Sequence, residues 1–453
     1  FYNCDMLTSI TLNEGITAIY DRAFSNCDGL TEMVIPESVT SIGTYGFYGC
    51  GNLVNVTLPS GLTEISDYMF LNCPLLASVN GNGEVIIGAN VTCIGISAFS
   101  GCTSISKVTL PNGLAGIGNY AFRDLIRITE VVVPNSVISI GQGVFQGCNS
   151  LVKMTLPFVG ESRTIVSVSS YEEYRFGYIF GYTTHGNSTT NNPNEVYQGY
   201  KSGTTYYYYY IPDSLREVII TDATGISAYE FYNCTMLTSI TLNEGITAIN
   251  GYAFYNCANI AEIIIPESVT SIGNYAFQKC SLLQTVQVLR GDVLSLTSLG
   301  SNAFDTTPAT LLILVPDDVY SAYASAANWS TYADKIRPAS ASEDGFIIEN
   351  GVLLHYIGTA ETVTIPAGVT SIGDYAFAHN YSLKQLIIGN DVVTIGDYAF
   401  YQCLSLQSVV IGDSVQTIES FAFDQCISLQ SVVIGEGIQI IARYAFYGCA
   451  SLQ

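Results

Sequence analysis

Few residues of this sequence have the types and spacing that catalysis requires. Histidine, the most frequent general base, occurs three times, at His185, His355 and His379, and no two stand four residues apart as in an H-E-x-x-H zinc helix. The G-x-S-x-G turn of serine hydrolases and the glycine-rich loops that bind phosphate are also missing. Glu161, Glu172 and Glu173 could form a carboxylate cluster, although a solvated loop explains them better. We therefore predict that the protein is not an enzyme, and we assign no catalytic or cofactor-binding residue.

The cysteines could bind metal or form disulfides, but their spacing favours neither. Twelve of the thirteen occupy one position of a repeating pattern: Cys4, Cys27, Cys50, Cys73, Cys102, Cys148, Cys234, Cys257, Cys280, Cys403, Cys426 and Cys449. A separation of 23 residues differs from the C-x-x-C spacing of zinc sites, so we predict no metal site. A column of small buried thiols is the better interpretation. Disulfides between neighbouring repeats are conceivable, but Leu125, Thr307 and Asn380 replace cysteine in three repeats, so pairing is not required.

A phenylalanine three residues before each of these cysteines sets the period of the chain. It occurs fifteen times, mostly every 23 residues: Phe1, Phe24, Phe47, Phe70, Phe99, Phe122, Phe145, Phe231, Phe254, Phe277, Phe304, Phe377, Phe400, Phe423 and Phe446. A fixed period of this length is typical of solenoids. After Phe254, the alternation of Ile263 and Ile265 predicts a short strand that ends at Pro266. One coil cannot bury its apolar residues alone, whereas stacked coils can.

The repeated pattern L-x-x-I-x-I-P-x-x-V-x-x-I-G-x-x-A-F-x-x-C resembles the BspA-like leucine-rich repeats. The segments that match it include Leu30 to Pro36, Val39 to Gly43, Leu383 to Ile388, Val392 to Gly396, and Ala399 to Cys403. The resemblance implies a repeat solenoid of 23-residue coils with short parallel β-strands and irregular or short helical turns, an α/β horseshoe-like fold. It also implies a secreted or surface-displayed protein with a role in adhesion or interaction.

Interruptions of the period predict the domain organisation. We expect a leucine-rich repeat array at residues 1–157, a tyrosine-rich insertion at 158–212, the continued array at 213–338, a linker at 339–345 and a second array at 346–453. The continued array should end in a helical cap at about 317–336, which Asp317 or Asp318 would begin and in which Trp329 would pack.

Composition restricts the class of partner. The chain has 15 basic and 38 acidic residues, and its net charge of −23 argues against binding to nucleic acid or anionic lipid. No apolar stretch approaches the ~18–20 residues of a membrane span, so we predict no direct membrane insertion. Residues 231–280 nearly repeat residues 1–50, and the chain begins and ends within a repeat. These features predict a segment of a longer parent chain.

Two sets of tyrosines differ in their predicted role. One set recurs two residues before the phenylalanine, where rings of neighbouring coils should stack as structural elements. The other set is the eleven tyrosines of the insertion, which include the run Tyr206 to Tyr210. Because tyrosine offers a large contact area at little entropic cost, we predict a partner-binding surface formed by Tyr197, Tyr200, Tyr207 and Tyr209. Packing of the insertion against the flanking coils is the open alternative.

Two functions fit these observations. The first is a non-catalytic, extracellular or cell-surface repeat protein that mediates adhesion or protein–protein interaction, with a surface or matrix protein of a host or neighbouring cell as its partner. The second is a structural spacer or stalk in a surface layer or filament, for which self-association is possible. The strand face, with residues such as Thr241, Ser408 and Val410, is flat, small and mostly neutral, and lacks the aromatic and arginine anchors typical of interfaces.

Overall fold

The 23-residue repeat forms a parallel β-solenoid in the computed structural model, which describes residues 1–162, 176–184, 195–202, 205–339, 342–343 and 345–453. A typical coil has one longer and one shorter strand, and each pairs in parallel with the equivalent strand of the next coil. Asn55 pairs with Glu32 and Ile42 with Ile19, in both cases 23 residues apart. The predicted solenoid with short parallel strands is therefore confirmed.

The chain divides into two compact units, the first of which comprises Phe1–Ile260, Pro266–Ser281 and Thr297–Thr307. Its longer strands are Glu32–Val34, Asn55–Thr57, Ser78–Val79, Val85–Ile86, Val108–Thr109, Glu130–Val132, Lys153–Leu156, Glu217–Ile220 and Ser239–Thr241. Its shorter strands are Ala18–Ile19, Ser41–Ile42, Glu64–Ile65, Cys93–Ile94, Gly116–Ile117, Ser139–Ile140, Ala248–Ile249, Ser271–Ile272 and Ser298–Leu299. The insertion adds the 3-10 helix Phe176–Phe180 and the antiparallel strands Tyr182–Thr184, Glu195–Ser202 and Thr205–Pro212.

The second unit comprises Ala261–Ile265, Leu282–Leu296 and Pro308–Gln453. Its longer strands are Glu262–Ile265, Thr285–Val288, Leu312–Val315, Ile336–Pro338, Thr362–Thr364, Gln385–Ile388, Ser408–Ile411 and Ser431–Ile434. A third sheet contains Ser342–Glu343, Phe346–Glu349, Val352–Tyr356, Ser371–Ile372, Thr394–Ile395, Thr417–Ile418 and Ile440–Ile441. Its helical segments are Val293–Ser295, Asp317–Val319, Tyr320–Ser325 and Trp329–Tyr332. The proposed boundary at residues 339–345 stays a prediction.

The phenylalanine column forms the centre of the core within each unit. Phe47 is fully buried and stacks at 5.5 Å on Phe24 and on Phe70, with ring planes nearly parallel. In the second unit, Phe400 stacks at 4.9 Å on Phe377 and at 4.7 Å on Phe423. Because stacked coils are about 4.8 Å apart, identical side chains at one position necessarily meet their neighbours. The period of the sequence thus becomes a continuous column of rings.

Two residues in a typical coil have a left-handed backbone, and they explain why the coil turns are not helical. They stand two positions before and two positions after the phenylalanine; Tyr45 and Gly49, for instance, flank Phe47 with φ of 58° and 69°. Each left-handed residue interrupts a right-handed helix, so the chain forms turns instead. The short helical turns allowed by the sequence are therefore absent from this part of the described coils, which form hydrogen-bonded turns.

The insertion contributes to the core of the first unit. The backbone amide of Phe145 donates to the carbonyl of Ile179 at 2.9 Å, as Phe122 donates to the following coil. Phe176 then donates to the carbonyl of Glu230 and packs against Phe231 at 5.1 Å. The 3-10 helix thereby takes the place of a coil turn. The packing alternative for the insertion is thus correct for this segment.

The predicted helical cap is present as short segments rather than as one helix. The helix Tyr320–Ser325 stops because Ala326 is extended and Asn328 has a φ of 62°. The N-cap of the preceding 3-10 turn is Pro316 rather than an aspartate. The predictions of a continuous helix and of an Asp317 or Asp318 cap were wrong. Trp329 is buried edge-on against Tyr323 at 5.2 Å, which agrees with a packing role.

Candidate binding surfaces

The two described histidines are buried in the core. His355 and His379 are both buried, and burial lowers the pKa of each to about 4. Nδ1 of His379 lies 3.0 Å from the hydroxyl oxygen of Tyr381. His185, Glu172 and Glu173 lie outside the described residues. Within the described part of the chain, no three histidine, cysteine, aspartate or glutamate side chains are grouped to hold a metal ion.

The aspartate or asparagine that recurs three residues before the phenylalanine of many coils bonds to the backbone of the next coil. Oδ1 of Asp21 accepts a hydrogen bond from the amide of Thr44, and Oδ1 of Asp374 accepts one from Asp397. Asn119 does the same for Gln142, also 23 residues on. A short side-chain oxygen at this position therefore links one coil to the next. This explains why aspartate and asparagine alternate there without forming a cation site.

The cysteine column consists of free thiols, as the sequence predicts. Sγ of Cys50 donates to the carbonyl of Phe24 at 3.0 Å, and Cys403 donates to Phe377 at 3.1 Å. Each thiol thus ties its coil to the turn of the preceding one. Burial raises the pKa of Cys102 and Cys148 to about 12, which keeps these thiols protonated and unreactive at neutral pH.

The tyrosines before the phenylalanine column form half-buried stacks, as predicted. Tyr45 and Tyr68 stack at 4.5 Å, and Tyr252 lies 4.9 Å from Tyr229 and 4.8 Å from Tyr275. Each of these tyrosines has a φ near 60°. A left-handed backbone costs a non-glycine residue about 1–2 kcal/mol, and aromatic stacking offsets a comparable amount. Because the ring faces cover one another, these columns expose ring edges and hydroxyls rather than flat stacking platforms.

The outward face of one four-stranded sheet in the second unit carries no charged residue. It comprises Thr362, Thr364, Gln385, Ile387, Ser408, Val410, Ser431 and Val433. The register aligns Ile387, Val410 and Val433 in one column, and they are 42%, 42% and 59% exposed. A row of small polar residues runs beside this apolar column. We call these eight residues the neutral face.

The corresponding face of the first unit is charged. Glu130 pairs with Lys153 in the ladder, and Lys153 pairs with Glu217. Nζ of Lys153 lies 3.1 Å from a carboxylate oxygen of Glu217. Val132, which is 51% exposed, lies on this face as an isolated apolar residue beside Thr155. The two faces therefore differ in chemistry although both derive from the same repeat.

The structure does not support one of the four predicted tyrosines. Tyr209 is only 1% exposed, because the strand Thr205–Pro212 directs it toward the interior together with Ile211. The prediction that Tyr209 belongs to the surface was therefore wrong. The backbone of Tyr200 pairs with that of Tyr207, and Tyr197 pairs with Tyr210. The side chains of Tyr197, Tyr200 and Tyr207 lie outside what the structure describes, so their role stays a prediction.

Sequence reasoning missed a buried carboxyl group at Glu230. Neighbouring coils place a small apolar residue at this position, as at Ala253 and Ala276. Oε2 of the Glu230 carboxyl group accepts a hydrogen bond of 2.5 Å from the amide of Ser227. Burial raises the pKa of Glu230 to about 8. The pattern S-x-x-E, a helix-capping signal, could have identified this local bond from the sequence.

A cavity of about 300 Å³ lies beside Glu230 in the first unit. Its polar lining is engaged internally: Asn250 donates to the carbonyl of Ile226, and Thr247 donates to that of Thr224. These bonds leave the two side chains committed to the solenoid backbone. The neutral face is consequently the stronger candidate for binding.

Comparison with known proteins identifies the repeat. The family model described as a BspA type leucine-rich repeat region (6 copies) matches residues 1–85, 80–173, 204–331 and 353–453. A solved leucine-rich repeat protein from Bacteroides ovatus is 19% identical, with a TM-score of 0.32, over 93% of this chain and 85% of that one. A leucine-rich cell surface protein from Faecalibacterium prausnitzii is 21% identical, with a TM-score of 0.28, over 94% and 86%. With TM-scores this low, neither likeness bears on function.

No curated protein matches the chain. The longest described helix has six residues, and no helix in the described ranges is long and apolar enough to cross a membrane.

Proposed function

Because this chain belongs to the BspA-type leucine-rich repeat family, we propose that it is a non-catalytic binding protein that acts outside the cell or at its surface. The partner is a macromolecule, a surface or matrix protein of a host or neighbouring cell. The neutral face is the observation that carries this proposal. Adhesion through that face fits a repeat protein whose recurring aspartate, asparagine and cysteine side chains bond to the backbone of neighbouring coils.

The chemistry of the neutral face suits a protein partner. Val410 lies at its centre with Ile387 and Val433 on either side in the same column. Burial of their remaining exposed surface contributes on the order of 1 kcal/mol each at ~25 cal/mol per Å². The adjacent serines and glutamine can form hydrogen bonds without a large desolvation cost, since none is charged. The eight residues of this face carry no charge, and the acidic Glu361 at its border is paired with Lys384.

The insertion supplies a second candidate surface within the same proposal. Its strand Glu195–Ser202 pairs with Thr205–Pro212 along eight residues and carries Tyr197 and Tyr200. With Tyr209 in the interior, the predicted binding set reduces to Tyr197, Tyr200 and Tyr207. Tyrosines at such positions would add aromatic anchors, which the neutral face lacks.

The proposal predicts that Val410→Lys weakens partner binding at least tenfold, because a charge at the centre of the neutral face must be desolvated. The assay is solid-phase binding of the full chain to immobilised matrix proteins and to fixed cells. The matched control is Val132→Lys, the same change at a similarly exposed strand position in the first unit. A third variant, with Tyr197, Tyr200 and Tyr207 replaced by serine, measures how much of the partner binding depends on the insertion.

Equal binding by Val410→Lys, Val132→Lys and the wild type would contradict a role for the neutral face. A wild-type protein that binds none of these surfaces but self-associates in sedimentation would instead favour the spacer function. Loss of binding only in the tyrosine variant would assign the interaction to the insertion.

A further inference from the structure

The tyrosine stacks bring phenol rings of neighbouring coils together at the protein surface. The clearest case is the pair Tyr45 and Tyr68, whose ring centroids are 4.5 Å apart with planes at 6°. Both rings are half-buried, so one edge of each is open to solvent. The guanidinium of Arg22 lies 4.8 Å from the other side of the Tyr45 ring, and Ser97 follows Tyr68 in the column. The two phenols are therefore adjacent in their column without a third tyrosine stacked on them, and the ring of Tyr48 contacts Tyr45 edge-on at 5.7 Å.

From this geometry we propose that Tyr45 and Tyr68 form an oxidative cross-linking site, where a one-electron oxidant joins two coils through a dityrosine bond. The oxidant is a peroxide acting with a haem peroxidase. Each phenol loses one electron and one proton to become a phenoxyl radical. The two radicals then form a carbon–carbon bond between their ortho carbons, and the two ring hydrogens at those carbons move to the oxygens as the phenols re-form. In balance, two tyrosines and one hydrogen peroxide give one dityrosine and two water molecules.

The solenoid favours coupling within one chain over coupling between chains. Parallel pairing in register keeps the two phenols adjacent in every molecule, and such proximity acts as a very high effective concentration. Half-exposed side chains reorient within nanoseconds, so the open edges can tilt together once both rings carry radicals. An exposed, isolated ring lacks this advantage. Tyr20, which is 81% exposed, provides that comparison within the same unit.

The second unit contains a natural counterpart with the same stacking but without two phenols. Phe421 stacks on Tyr398 at 4.9 Å with planes at 2°. Phenylalanine cannot form a phenoxyl radical, so this pair cannot couple. Tyr375 and Tyr398, at 5.0 Å and 4°, can. We therefore expect cross-links only where both stacked rings are tyrosines, and none where one ring is phenylalanine.

The test is treatment of the full chain at micromolar concentration with hydrogen peroxide and horseradish peroxidase. We expect dityrosine fluorescence in the monomer and a peptide that joins residues 45 and 68 and has lost two hydrogen atoms. Tyr68→Phe, which keeps the stacked ring, should abolish that peptide and leave other cross-links, such as that between Tyr375 and Tyr398. Tyr20→Phe should leave the joined peptide at its wild-type yield.

Two results would overturn the site. One is that dityrosine forms only between chains, as covalent dimers, with no peptide joining residues 45 and 68. The other is that Tyr68→Phe yields as much Tyr45-containing cross-link as the wild type does, which would show that Tyr45 couples elsewhere. Circular dichroism of Tyr68→Phe identical to that of the wild type establishes that the fold is unchanged.

Discussion

Replacement of Phe254 by alanine should lower the free energy of unfolding by about 3–5 kcal/mol, since it removes a fully buried ring and leaves a cavity. The ring stacks at 5.3 Å on Phe231 and at 5.1 Å on Phe277 within the first unit. Its loss therefore breaks two contacts of a continuous column as well as burial in its own coil. In a solenoid each coil contacts only its neighbours, so the damage should be concentrated in the adjacent coils.

Urea unfolding followed by circular dichroism measures the global effect, and hydrogen exchange measures the local one. The amides of Asn233 and Asn256, which bond to carbonyls of the next coil, should lose protection in Phe254→Ala. The matched control is Tyr20→Ala, which removes an exposed ring and should change stability by about 0.5 kcal/mol or less. If Phe254→Ala differs from wild type by less than 1 kcal/mol, the ring does not belong to a packed column.

Glu230 should make the protein less stable as the pH rises from 4.5 to 8. The unfolded chain ionises this carboxyl near its ordinary pKa of 4.5, whereas burial holds the folded pKa at about 8. Between these values the folded state keeps a proton that the unfolded state has released, so increasing pH favours unfolding. The full penalty, roughly 4–5 kcal/mol at 1.36 kcal/mol for each pKa unit, is present above pH 8 and absent below pH 4.5.

The variant Glu230→Gln isolates this contribution, because glutamine can still accept the hydrogen bond from Ser227 but does not ionise. Its stability relative to wild type, from urea unfolding at each pH, should increase by several kcal/mol between pH 4.5 and 8 and then level off. Glu230→Ala introduces the residue found at the equivalent positions Ala253 and Ala276. Its stability relative to wild type should increase with pH in the same way, although its value at pH 4.5 differs. Parallel profiles for wild type and Glu230→Gln would contradict a buried, protonated carboxyl group.

The repeat pattern was sufficient to predict the coil and its register, because the same side chain recurs at each stacking position. Phe47, Cys50 and Val56 are buried as their periodic positions predict. The structure of the cap could not be predicted in the same way. Its apolar spacing favours a helix through Ile336, but the chain turns at Ala326 and Asn328, and Trp329 packs against Tyr323. Helical periodicity alone carries no information about that tertiary contact.

The candidate sites could also be predicted only in part from the sequence. The sequence identified the tyrosine columns but not their left-handed backbone, since tyrosine rarely adopts that conformation and no propensity predicts it. Alternation within Tyr206 to Tyr210 predicts that half of the rings face inward, but it does not say which half. The contacts of the insertion decided that Tyr209 is buried. The neutral face became apparent only once the register aligned Ile387, Val410 and Val433.

The 23-residue coils stack in one register, and chemical bridging between cysteines placed on the neutral face measures that register. In the variant Ile387→Cys/Val410→Cys, the two thiols belong to paired residues of adjacent coils, whose Cα atoms are about 4.8 Å apart. In Ile387→Cys/Val433→Cys, they lie two coils apart, at roughly 9.6 Å. Both pairs are treated with a short bis-alkylating reagent and analysed by mass spectrometry. We expect efficient bridging of the first pair and little of the second. Equal bridging of both pairs, or bridging of the second pair alone, would contradict the register.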